Sequence, residues 1–209
     1  MSRDPSQPGH SRRDFFAAAG ATLVMPILPS LAWAADAAGA VDDLKGEAKA
    51  EQSGNNRSLA PQAPVFIGDL LSTGHRSRLV LKLAGKTTVK LGADTRLKLD
   101  KWVAEAGGEL DLMGGTMFFE RSGPPAPSGI QIRNAYGLIA VRGTRFYAGP
   151  SRGAFGILVG HGRVEVTAAG KTVVLGPQQG TDIASIGAPP SAPRNWPTAR
   201  VRELQARLR

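Results

Sequence analysis

A chain of 209 residues without a single cysteine excludes a disulfide framework and a thiolate metal site. Its 26 Lys and Arg against 17 Asp and Glu give a formal charge of +9, which turns attention to anionic partners. The length suits one domain with an added segment, enough chain to bury a core without covalent staples.

The chain opens with "SRRDFF" (Ser11 to Phe16), followed by the uncharged run "AAAGATLVMPILPSLAWA" at 17–34. A basic region, a short apolar region and small residues at the −3 and −1 positions (Ala32 and Ala34) make up a secretory signal peptide. Pro26 and Pro29 make the run a poor spanning helix, and it is short for the ~20 apolar residues a bilayer needs. Arg12, Arg13 and Phe15 stand where the order resembles the twin-arginine (Tat) export signal, used for proteins moved in the folded state. The reading is a periplasmic protein cleaved near Ala34, or a membrane-anchored one if the signal stays on. Behind such a signal the accessible anions are lipid head groups, lipopolysaccharide, cell-wall polymers or an acidic protein face, and nucleic acid drops out. A basic surface with no specific partner is the plainer alternative.

Residues 35–64 are Ala-, Gly- and polar-rich, with one alternating apolar piece from Val41 to Ala50. From Phe66 onward, short segments alternate with a period of two: "RLVLKL", "TTVKL", "RLKLD", "ELDLM", "GIQIRN" and "GRVEV". Such alternation predicts half-buried strands, with hairpin turns at Ala84-Gly85 and Gly160-His161-Gly162. "KWVAEA" (101–106) is expected to form at most one helical turn. "RLVLKLAGKTTV" (78–89) and "RVEVTAAGKTVV" (163–174) align with six identities in twelve, which reads as two hairpins with the same turn, or as convergence on favoured turn chemistry. The expected fold is therefore all-β over 41–186, antiparallel hairpins stacked as a β-roll, a solenoid-like coil or a sandwich. "GAPPSAPRNWP" (187–197) reads as a Pro-rich linker that cannot join a sheet. Residues 198–209 form a short basic amphipathic helix, with Val201, Leu204 and Leu208 on one stripe among Arg200, Arg202, Arg207 and Arg209. That stripe either docks on its own domain or touches an anionic membrane surface.

Little of the chain reads as catalytic. "AGKT" occurs twice, yet the position five before each glycine holds Val80 or Glu165 where a phosphate loop requires glycine. His75 and His161 lie beside glycines in predicted turns and are expected to be solvated, and no ligand cluster suggests a metal or cofactor. Glu109 and Asp111 share a strand face, the one pair that would suit glycoside hydrolysis. Lys82, Lys90, Arg96 and Lys98 recur opposite the leucines and are expected to gather on one side of the sheet. There they keep an exposed face soluble and guard its edges, or they form an electrostatic docking surface for an acidic partner or anionic polymer.

"IGDLLSTGHRSRLVLKLAGKTTVKLGADTRLKLD" resembles the opening of the FecR-type periplasmic domain, with Gly68, Asp69, Thr73, Gly74, Gly85, Thr87, Val89, Leu91, Gly92 and Thr95 on its motif positions. "AVRGTRFYAG" and "ILVGHGRVEV" resemble the family's later block through Val141, Arg142, Gly143, Thr144, Phe146, Val159, Gly162, Val164 and Val166, and "DLKGEAKA" resembles its leading strand. The resemblance implies an all-β periplasmic module, which in the best-known members relays signals from an outer-membrane transporter to a sigma factor. Those regulators carry a cytoplasmic anti-sigma segment, a transmembrane helix and a C-terminal signalling subdomain, where this sequence shows an export signal and a short tail. What carries over is the domain, with the motif residues expected to maintain the fold: Gly143 at a bulge or close approach, Thr144 with its methyl inward and its hydroxyl on bent backbone. Two functions follow. One is a non-enzymatic exported binding or scaffold module for envelope signalling or sensing, with a membrane or envelope protein partner. The other is an envelope-glycan binding protein or a hydrolase using the acids above.

Overall fold

The computed structural model describes residues 37–208 apart from Glu105; the export signal lies outside the described residues. In chain order the strands are β1 (Ala37–Lys45), β2 (Ala48–Gln52), β3 (Asn55–Ser58), β4 (Pro64–Phe66), β5 (Leu70–Thr73), β6 (Arg78–Leu83), β7 (Thr87–Leu91) and β8 (Arg96–Val103). They continue as β9 (Gly107–Gly114), β10 (Met117–Arg121), β11 (Ile130–Asn134), β12 (Gly137–Ser151), β13 (Ala154–Ala168), β14 (Lys171–Leu175), β15 (Gln179–Ile183) and β16 (Arg194–Asn195), before the helix α1 (Thr198–Ala206). The fold is all-β with a short C-terminal helix, as the alternation predicts.

All strands belong to one hydrogen-bonded sheet, in the order β3-β2-β5-β8-β9-β11-β12-β10-β7-β6-β1-β4, with β13 pairing β12, β14 and β15. The sheet is held together in its middle by two 15-residue strands, β12 and β13. The first part of β12, Gly137–Val141, pairs with β11, and the later part, Arg145–Ala148, pairs with β10. On β13 the division is the same: Phe155–Leu158 pairs with β15 and Val164–Ala168 with β14. One half of the curled sheet thus contains β1, β4, β6, β7, β10 and β15, and the other β2, β3, β5, β8, β9, β11 and β14.

The chain crosses between the halves repeatedly, at β5 to β6, β7 to β8 and β9 to β10. Alternation puts Leu79, Leu81, Val89, Leu91, Met117, Phe119 and Phe146 of one half into the same buried cluster as Leu71, Leu97, Leu99, Leu110, Leu112 and Ile132 of the other. Burial of this continuous apolar layer is the main stabilising term available to a chain without disulfides.

Several sequence expectations need correction. "KWVAEA" is mostly strand: β8 continues to Val103, where Trp102 faces Gly108 and Val103 faces Gly107 of β9, and the chain turns only afterwards, with the Ala106 N–H on the Val103 carbonyl at 3.1 Å. Gly160-His161-Gly162 is not a hairpin turn but lies inside β13. The piece from Val41 to Ala50 is two strands, parted at Gly46, whose φ of 80° bends the chain. The repeated "AGKT" hairpins do not share a turn. Leu83 pairs with Thr87 across three residues, whereas Ala168 pairs with Lys171 across two, Ala169 and Gly170, both with positive φ. Not every neighbour is antiparallel, since β9 and β11 run parallel. The Pro-rich segment joins the sheet after all, with Gln179 facing Asn195 and Gly180 facing Arg194.

A nine-residue helix is marginal in water, and α1 begins at Pro197 without a side-chain cap. Contacts with the sheet hold it. Leu204 packs with Leu158 and Trp196, Leu208 is buried, and Val201 is half-buried against the same cluster. The stripe therefore docks on its own domain. Arg200 joins it underneath: its guanidinium lies 3.6 Å from the Trp196 ring, donates to Ser151 Oγ at 3.1 Å and to Asp182 Oδ2 at 2.9 Å.

Candidate functional site at the strand bulge

The motif residues sort into three structural devices. The first is the turn after β4. Gly68 takes a φ of 91° and donates its N–H to the Leu99 carbonyl at 2.6 Å, while the Leu99 N–H returns to the Asp69 carbonyl at 3.0 Å. The Asp69 carboxylate is wholly buried, accepts the Phe66 N–H at 2.7 Å and pairs with Arg57. Burial pushes its pKa up, against the opposing pull of the Phe66 N–H and the Arg57 guanidinium.

The second device ties the crossings together. The Thr73 hydroxyl donates to the Gly92 carbonyl at 2.6 Å and accepts the Thr95 N–H at 2.9 Å. The Thr95 hydroxyl in turn accepts the Thr116 N–H at 3.0 Å, and the Gly92 N–H reaches the Thr116 carbonyl at 2.9 Å. Sequence reasoning marked Thr73, Gly92 and Thr95 and missed Thr116. The separations of 22 and 21 residues were a signal that could have found it. At the opposite ends of the strands, buried Arg121 plays the equivalent part and was also missed. Its nitrogens donate to the carbonyls of Pro124 at 2.9 Å and Ala104 at 3.1 Å, and to Thr87 Oγ1 at 3.2 Å. Gly85 sits beside them, and a Cβ there would come within 2.2 Å of the Ala104 oxygen.

The third device is the bulge of β12 and β13. Arg142 faces Arg163 across the strands and Arg145 faces His161, so the register shifts around Gly143, Thr144 and Gly162. Gly143 and Gly162 have φ of 63° and 81°, the left-handed region that favours glycine. A Cβ on Gly162 would stand 2.6 Å from the Gly143 oxygen and 2.6 Å from the Thr144 methyl. Thr144 is buried with its methyl against this crossing, but its hydroxyl finds no hydrogen-bond partner among the described residues, contrary to the expectation of a bond to bent backbone. Phe146 then re-enters the core, its ring centroid 5.5 Å from that of Phe119. Gly143 thus keeps the chain from β11 to β10 on one continuous strand.

The basic residues are not brought together as one face. Lys82 and Lys90 lie on β6 and β7, Arg96 and Lys98 on β8, and β9, β11, β12 and β10 stand between β8 and β7 in the sheet. At about 4.8 Å per strand that is about 24 Å along the sheet. Lys98 pairs with Asp100 at 2.6 Å, Lys82 lies 3.9 Å from Asp42, and Lys90 sits 5.4 Å from the Phe118 ring centroid. His75 is exposed and lies 3.2 Å from Asp94, and His161 is exposed on the bulge. Glu109 pairs with Arg133 at 2.5 Å, which engages one of the two acids a hydrolase would need. Among the described residues, no group of three or more potential ligands could hold a metal ion, and no helix is long and apolar enough to cross a membrane.

A shallow cavity of about 430 Å³ lies beside the bulge, lined by Pro127, Ser128, Gly129, Ala140, Arg142 and Arg163 among others.

The FecR protein family model matches residues 69–165, from the buried aspartate to the strand after the bulge. Two crystal structures of a candidate anti-sigma factor from Parabacteroides distasonis superpose with a TM-score of 0.51 at 19% identity, over 63% of this chain and 61% of that one. The shared part is thus under two thirds of that protein's length, and at this identity the likeness is one of fold. No match occurs among curated proteins. The motif turns, the threonine ties and the glycine bulge fall within or beside the matched segment, and the chain carries a FecR domain over residues 69–165.

Proposed function

We propose that this chain is a non-enzymatic binding or scaffold module of the cell envelope, working in signalling or sensing through a membrane or envelope protein partner. The observation that carries the reading is the FecR domain itself. Apart from exposed Arg142, its motif residues are spent on the core and on turns, ties and a bulge, which points to a shared scaffold in place of a shared reaction. The anti-sigma description of the structural neighbours supports a regulatory setting. The "SRRDFF" opening supports twin-arginine export and a periplasmic location.

Site-specific photocrosslinking in the native cell tests this reading from both halves of the sheet, at Lys90 and at Lys98. A discrete adduct with one envelope protein is expected. Adducts with glycan strands alone, or turnover of envelope glycan by the purified chain, would replace it with the polymer-binding or hydrolase reading.

A further inference from the structure

We propose that Arg142 and Arg163 form a receptor for a single oxyanion, a phosphate or carboxylate group of a ligand seated in the cavity beside the bulge. The nearby arginines are answered by carboxylates: Arg145 by Glu120, with Nε donating at 2.8 Å, and Arg133 by Glu109 at 2.5 Å. Arg142 and Arg163 are not. Both are exposed, and among the described residues neither side chain makes a hydrogen bond or an ion pair within 4.0 Å. Yet they are direct partners across β12 and β13, on the last regular rung before the bulge. Side chains so placed have Cβ atoms about 5 Å apart, and like charges there repel. An oxyanion between the two guanidinium groups converts that repulsion into charge-assisted hydrogen bonds, the geometry for which planar guanidinium is suited.

The surroundings provide room for such a group. Gly129 and Ala140 carry little or no side chain, Pro127 and Ser128 form the wall, and the cavity measures about 430 Å³. The Ser128 hydroxyl is engaged by no hydrogen bond among the described residues and can donate to the same ligand. Glu165 also lines the cavity, two positions along from Arg163 and opposite Ala140. Its carboxylate opposes an anion near it, so the charged group belongs at the arginine end and a hydroxyl or amine of the ligand at the glutamate end. The positive φ of Gly143 and Gly162 holds this rung where the strands change partners, the setting in which a bulge re-aims side chains. The site does not depend on the signalling role proposed above.

Titration of the full chain with inorganic phosphate and with galacturonate, at constant ionic strength and with chloride as control, tests the proposal through the arginine Nε–Hε resonances. Saturable shifts are expected at Arg142 and Arg163 with one of the two anions, which also distinguishes a phosphate from a carboxylate ligand. Arg142→Gln and Arg163→Gln should each weaken binding by about tenfold or more, and Glu165→Gln should tighten it. Melting temperatures of the three variants, read in parallel, confirm that each is folded. Absence of saturation with both anions overturns the proposal. So does an equal response at Arg76 and Arg207, which would mean a generally basic surface, or unchanged affinity in both arginine variants.

Discussion

A methyl group at Gly162 would collide with the Gly143 carbonyl and the Thr144 methyl, both at 2.6 Å, on a backbone with φ of 81°. At Gly143 the φ is similar, but the nearest atom to a Cβ is Pro125 Cγ at 3.2 Å, which can give slightly. Strain at such positions is on the order of 1–3 kcal/mol. Gly162→Ala is therefore expected at the upper end of that range and Gly143→Ala at the lower, with Gly143→Val beyond it; urea denaturation should return this order. Thr95→Val tests the threonine tie in another way. It preserves shape but removes the acceptor of the Thr116 N–H, and an orphaned buried donor costs about 1–3 kcal/mol. Equal stability of Thr95→Val and the parent chain would show that the tie contributes nothing. The sequence exposed these positions only in part. A glycine inside an alternating run is visible, but the orphaned Thr144 hydroxyl and the opposed Arg142 and Arg163 depend on a cross-strand register that no local pattern encodes.

Among the elements, α1 is tied to the sheet by an ion pair, Arg200 with Asp182, beside its apolar stripe. Burial raises the Asp182 pKa, but hydrogen bonds from Arg200 and Arg194 outweigh it and hold the carboxyl below its ordinary range. A carboxyl depressed by folding contributes stability that is present above its unfolded pKa and lost as the pH falls through its folded value. The tail should therefore loosen below about pH 4, seen as early loss of helix signal in an acid titration. In Asp182→Asn that acid step should vanish and helix docking weaken already at neutral pH, because Arg200 is left buried with its anion gone, a defect of about 3–5 kcal/mol. A helix signal unmoved by either change would mean that Leu204 and Leu208 suffice. The strands themselves were legible from their period of two, and the helix from the spacing of Val201, Leu204 and Leu208. Their connections were less so. "KWVAEA" carries no alternation strong enough to reveal a strand, and what extends β8 through it is pairing with β9, Trp102 facing Gly108 and Val103 facing Gly107. Prolines hid β16, since only Arg194, Asn195 and Trp196 stand between Pro193 and Pro197, and the first two of them pair.

For the whole molecule, the export reading makes the plainest prediction. Replacing Arg12 and Arg13 together with lysine should leave the precursor in the cytoplasm, judged by fractionation; periplasmic yield equal to that of the parent would refute twin-arginine export. The partner change of β12 bears on how such a protein is made. When synthesis has reached Asn134, β10 and β11 each present an open edge, since the strand that seals both begins at Gly137. Neither half is finished before the other. No early stretch of the nascent chain is thus a self-sufficient folding unit, and the decisive pairings wait for β12 and β13 to emerge from the ribosome. A message truncated after β11 should yield sticky, protease-sensitive product, while a finished chain closes both edges with one hairpin.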